Sequence, residues 1–188
     1  MKQILTTLAL SFSILGFTQD EFQLNYNDDK KVEYQGVIEN AGVTAMDLYK
    51  LGIAWCENTD RSNTIDFQDE KIHKIVAKSS FSTVGKKNAY TYKEYHYNFV
   101  CDVVLEFKDG KSRYTLENFK KKASPGEPGS TLEYFIDNYK PKISSEKSRN
   151  REAKMLDQIE LAIQDQVWDL IDNLKKSLGP KQASKDDW

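Results

Sequence analysis

Two cysteines, four prolines and nine glycines are few for a chain of 188 residues. Two thiols cannot build a cysteine-rich metal cage or a disulfide-dense scaffold. So little proline and glycine excludes collagen-like and low-complexity chains. Neither sign of charge dominates: 27 basic side chains face 29 acidic ones, a net of −2. A dedicated nucleic-acid binder carries a basic excess, so nucleic acid is not an expected partner. Long apolar runs are missing beyond the first 18 residues, which leaves no candidate membrane span in the remainder. The chain also lacks a GxSxG elbow, a phosphate-cradling glycine loop, HExxH, an EF-hand loop and CxxC. What it has is 39% hydrophobic and 12% aromatic content, enough for one domain with a real core.

Residues 1–18 read as a cleaved signal peptide. Lys2 is the positive flank, residues 4–17 are almost free of charge, and Gly16 and Thr18 stand at −3 and −1 of a cut before Gln19. The run is shorter than the roughly 20 residues a membrane helix needs. The first cysteine, Cys56, lies too far downstream to accept a lipid at the cut. Removing these residues leaves 170, with 26 basic and 29 acidic side chains and a net charge of −3. The expectation is a periplasmic or secreted protein.

Residues 19–30 form a polar lead-in, and residues 31–120 carry the pattern of an α+β domain. Residues 31–39 alternate as a strand. Thr44-Ala45-Met46-Asp47 is a capping box, and Leu48, Leu51, Gly52 and Trp55 follow at helical spacing, so a helix is expected over 44–58. Strand patterns then recur: Ile65 and Phe67, residues 72–81, and the long run 90–107. In that run Tyr95, Tyr97, Phe99, Cys101, Val103, Leu105 and Phe107 occupy every second position. A strand of that length calls for a bulge or bend within it. Lys108-Asp109-Gly110-Lys111 is a tight hairpin, returned by a strand over 113–119.

Residues 121–148, with two prolines and two glycines early on, read as a linker containing a short helical turn near 132–139. Over 149–178, Leu156, Ile159, Ile163, Val167, Leu170, Leu174 and Leu178 step by three or four, the period of a plain helix laid on a surface. Gly179-Pro180 stops it, and residues 179–188 read as a tail. The order β-α-β-β-β-β-α implies an antiparallel sheet of about five strands with two helices on one face.

Three stretches, VEYQGVIENAGVTAMDLYKLGIAW (32–55), DEKIHKIVAKSSF (69–81) and LEFKDGKSRYTLENF (105–119), resemble an exported bacterial domain family of unknown function with a TATA-binding-protein-like fold. Its most specific pieces here are the Leu48-Tyr49…Trp55 helix and the Lys108-Asp109-Gly110…Arg113-Tyr114 hairpin. The resemblance implies a fold and an envelope location, and supplies no catalytic residues. DNA binding does not follow from the fold name, because a shared fold does not transfer function and counterion release needs a basic surface.

Among residues able to carry chemistry, His96 shares a strand face with Tyr92, Glu94 and Asn98, a mixed aromatic and hydrogen-bonding patch suited to a glycan or peptide. The same parity also describes an ordinary solvated sheet face. Cys56 and Cys101 either pair across helix and sheet in an oxidising compartment or serve as two buried thiols. No cofactor or metal is expected. The leading expectation is an exported, non-catalytic domain that binds an envelope protein or glycan through its open sheet face or edges; a further one is that the long helix and the open face drive self-association. The alternative is a small envelope hydrolase using His96 or His73 with a carboxylate such as Asp66, Asp69, Glu70, Asp102 or Glu106.

Overall fold

The computed structural model describes residues 24–58, 63–85, 95–123, 128–139 and 146–180. The elements run β1 (Tyr34–Glu39), α1 (Ala45–Asn58), β2 (Thr64–Asp69), β3 (Lys74–Gly85), β4 (Tyr95–Lys108), β5 (Lys111–Lys121), β6 (Ser130–Thr131), α2 (Leu132–Tyr139) and α3 (Glu146–Leu178). Strand order across the sheet is β1-β5-β4-β3-β2, every pairing antiparallel, with β6 also pairing β5. Helix α1 thus carries the chain from one edge of the sheet to the other, and β2 to β5 meander back.

The start of α1 follows from local chemistry completed by a distant residue. Thr44 Oγ1 accepts the Asp47 N–H at 3.1 Å, the side-chain cap expected, while the Asp47 carboxylate reaches back to the Thr44 hydroxyl at 2.8 Å in place of the backbone N–H of a full capping box. Asp109, at the tip of the β4–β5 hairpin, accepts the Ala45 N–H at 2.7 Å. The same hairpin binds the chain before α1 through Asn40 N–H to Gly110 O (2.7 Å) and Gly110 N–H to Val43 O (2.9 Å).

The core lies between one sheet face and the helices. Along β4, Tyr97, Phe99, Cys101, Val103, Leu105 and Phe107 are all buried, as their alternation requires. The seven apolar residues singled out on α3 are buried too, and Ile171 joins them. Helix α3 packs on β3, α1 packs on β4 and α3, and the Trp55 indole N–H donates to Asn173 Oδ1 at 2.8 Å. Both long helices cover the same face, as the one-sided stripes imply.

Several details differ from the sequence reading. The β4–β5 register shifts between Val100 and Asp102, and the extra residue is in β5: Val100 pairs Lys120 whereas Asp102 pairs Glu117. Asn118 adopts φ 55° there, so the bulge sits in the return strand and β4 continues without one. The buried set of β5 consequently switches from Ser112, Tyr114 and Leu116 to Phe119 and Lys121. Lys121 is buried with its ammonium 5.8 Å from the Phe135 ring centre.

His73, expected inside the strand over 72–81, lies in the β2–β3 turn with φ 49°, and β3 begins at Lys74. The linker expected over 121–148 contains β6, α2 and the first residues of α3. Helix α2 forms because Leu132, Phe135 and Ile136, at i, i+3 and i+4, bury one side of a short segment. The lead-in is likewise built into the fold from Leu24, which is buried, through a turn in which Tyr26 bridges Val32. The signal segment, residues 86–94 and residues 181–188 lie outside the described residues.

Candidate functional site

The sheet face left uncovered by the helices is built from the alternate positions of five strands. Its centre is one cross-strand row, apolar where Phe67 pairs Val76 and Val76 pairs Val104, and polar where Val104 gives way to Thr115 and its β1 partner Gln35. Phe67 is 47% exposed, and Val76, Val104 and Thr115 are partly so. A bulge in β2, where Ile65 pairs Ala77 but Phe67 pairs Val76, turns the Phe67 side chain onto this face.

Charged rows flank that strip on both sides. On one side Glu106 takes Arg113, whose Nε donates to Oε2 at 2.8 Å, and lies 3.8 Å from Lys74. On the other, Lys78 pairs with Asp66 and stands 3.9 Å from Asp102, which also accepts from Asn118 Nδ2 at 3.0 Å. Cross-strand neighbours of opposite sign neutralise each other on a solvated face. Positive charge is therefore interleaved with negative charge, unlike the basic stripe that grips a phosphate backbone.

Of the four proposed ligand residues, His96 and Asn98 project from this exposed side of β4, opposite Val84 and Ser82 of β3. Asn98 Oδ1 accepts from Ser82 Oγ at 2.6 Å. Tyr92 and Glu94 lie outside the described residues. His73 is elsewhere: its carbonyl accepts the Phe107 N–H at 3.0 Å and its ring meets Tyr49 edge-on at 6.2 Å. His96 lies 11 residues before Phe107 on β4, about 36 Å at strand rise. The two histidines cannot share one site.

Cys56 and Cys101 are both buried, and no disulfide joins them. Burial, with the Glu57 carboxylate adding to it, pushes the Cys56 thiol up to about 11, the opposite of what a nucleophile needs. Among the described residues no three His, Cys, Asp or Glu side chains are grouped to hold a metal ion, and no helix is long and apolar enough to cross a membrane.

An antiparallel sheet covered on one face by helices α1 and α3, with the other face open, defines an α+β domain of the TBP-like class. Residues 34–122 match the family model described as a domain of unknown function (DUF4468) with TBP-like fold. A crystal structure of a DUF4468 family protein from Bacteroides ovatus is similar, with a TM-score of 0.63 and 16% identity over 86% of this chain and 93% of that one. A TBP-like protein from Parabacteroides distasonis gives a TM-score of 0.48 and 10% identity, over 76% of this chain and 92% of that one. No curated protein matches the chain.

The sequence reading found the open face but missed its central strip. Phe67 alternates with Ile65 as though both faced one way, and only the pairing across the β2 bulge separates them.

Proposed function

We propose that this is an exported, non-catalytic binding domain whose open sheet face receives a partner protein in the cell envelope. The observation that carries the reading is the Phe67–Val76–Val104 strip bordered by ion-paired rows. An apolar centre inside a polar rim is the layout of a protein interface. The signal-like residues 1–18 support the compartment. A glycan would use the same face by stacking on Phe67, and is the alternative ligand.

A photo-crosslinking residue at Phe67, compared with one at Ile72 in the β2–β3 turn, tests this in intact cells of the native host. Crosslinking to one envelope protein from position 67, lost on Val104→Asp with the fold retained by circular dichroism, supports the reading. Equal labelling from both positions sinks it. Glycan-array binding that Phe67→Ala abolishes assigns the face to a sugar, and a dimer in light scattering that Phe67→Ala dissociates assigns it to self-association. Activity lost in His96→Ala or His73→Ala would revive the hydrolase reading.

A further inference from the structure

The two edges of the sheet differ in how they meet solvent. Edge strand β2 carries a bulge between Ile65 and Phe67 and the carboxylates of Asp66 and Asp69, features that blunt an edge against further pairing. Edge strand β1 has no such bulge. Its register with β5 is unbroken, and from Tyr34 to Ile38 it holds no charge and no proline.

The backbone of β1 shows which of its groups face outward. The N–H and C=O of successive strand residues point to opposite sides. Asn40 N–H donates to Gly110 O of the β4–β5 hairpin at 2.7 Å, so the even-numbered residues point towards β5. The odd-numbered residues point the other way: Glu33 N–H donates to Asn25 O at 3.0 Å, and Lys31 O accepts the Asn27 N–H at 2.9 Å. Residues 25–27 therefore occupy the outer side as far as Glu33. Beyond Glu39 the chain turns away through Gly42, at φ 82°. Between those limits the backbone groups of Gln35, Val37 and Glu39 face outward, and among the described residues no strand pairs them. The midpoint of that span is Val37, whose side chain is 52% exposed.

We propose that this edge pairs antiparallel with the same edge of a second copy of the chain, on a two-fold axis at Val37. About that axis the span is self-complementary: Val37 meets Val37, Gln35 meets Glu39 and Gly36 meets Ile38. No like charges face each other, an amide stands opposite a carboxylate, and the residue without a side chain stands opposite a branched one. Gln35, Val37 and Glu39 each gain a donor and an acceptor for their outward backbone groups. Nothing in the span selects a foreign strand over this match. The pairing joins the two sheets edge to edge with the helices of both copies on one side, so the two open faces lie together on the other. It uses the edge remote from Phe67 and stands whether or not the Phe67 strip binds a partner. So short a ladder buries less than the roughly 1,200 Å² of a stable interface, and the dimer is weak, with a Kd of about 0.1–1 mM.

The test is sedimentation equilibrium on the full chain at concentrations up to about 1 mM, with amide hydrogen exchange followed over the same range. Val37→Lys brings two ammonium groups together on the axis, and Val37→Pro removes an N–H that points outward while the ladder to β5 keeps its bonds. The expected result is a dimer that both variants weaken about tenfold or more, with circular dichroism unchanged. Phe67→Ala leaves it intact, and in the unsubstituted protein exchange at the Val37 amide slows as concentration rises. A monomer throughout the range overturns the proposal, as does a dimer that survives Val37→Lys. Dissociation by Phe67→Ala would place the contact on the open face and overturn it too. A monomer whose Val37 amide is protected at every concentration would mean that the chain covers its own edge, which also overturns it.

Discussion

Tyr114 of β5 lies across its cross-strand partner Gly36 of β1, so closely that a Cβ on Gly36 would stand 2.8 Å from Tyr114 Cε1. The glycine is needed for this approach. A side chain there would displace a buried ring from the edge of the core.

Gly36→Ala is accordingly expected to cost roughly 1–3 kcal/mol, the usual penalty for overpacking. In a Tyr114→Ala background the same substitution has nothing to displace, and its cost should fall towards zero. Urea denaturation of the four proteins of that cycle checks the coupling. Additive losses would mean that Tyr114 and Gly36 do not constrain each other.

The Asp109–Ala45 bond makes a hairpin residue the cap of a helix 64 positions away in sequence. Asp109→Ala should lose about 1 kcal/mol, comparable to Thr44→Ala, since each leaves an N-terminal amide of α1 without its acceptor. Thermal melts monitored by circular dichroism distinguish this from a turn defect: Asp109→Asn keeps a turn-forming side chain and an acceptor oxygen, and recovers most of the loss.

Asn118 holds φ 55° in the β5 bulge. A β-branched residue there meets the left-handed penalty of roughly 1–2 kcal/mol, so Asn118→Val should destabilise by about that much. Asn118→Gly should be nearly neutral, giving up only the exposed bond to Asp102. If Val and Gly melt alike, the bulge is not set by the backbone of residue 118.

For Cys56 the direction of pH dependence follows from its raised folded-state value. The unfolded thiol ionises near 9.0 and the folded one near 11. Below that window both states hold the proton. Within it the unfolded chain releases its proton first, so stability falls as pH rises from about 9 to about 11. Cys56→Ala should flatten the difference in urea midpoint between pH 8 and pH 10, and the native thiol should react with maleimide far more slowly than the denatured one. Rapid native labelling at neutral pH would contradict the burial.

The legible parts of this fold are those whose signal is local. The two-residue alternation from Tyr97 to Phe107 and the three-four spacing from Leu156 to Leu178 each identify an element and its buried side without reference to anything else. Thr44 and Asp47 announce their own helix start. His73 was misplaced because Ile72 and His73 read as strand residues, whereas the chain turns there with a positive φ. The bulge was expected in β4 for its length and arose in β5, because a register shift depends on both strands. Helix α2 was legible only as a turn, since its three apolar residues gain a partner surface from β5 and α3.

The amino-acid sequence by itself determined the α+β class, the one-sided helices and the Thr44 cap of α1. These depend on composition and on side-chain periods of two and 3.6 residues, which the chain carries at every point. Tertiary structure alone decided that Phe67 joins Val76 and Val104 in one row, that Asp109 caps Ala45, and that Trp168 meets Tyr34 edge-on. Those relations join residues dozens of positions apart, and burial of the common core, rather than any local preference, brings them together.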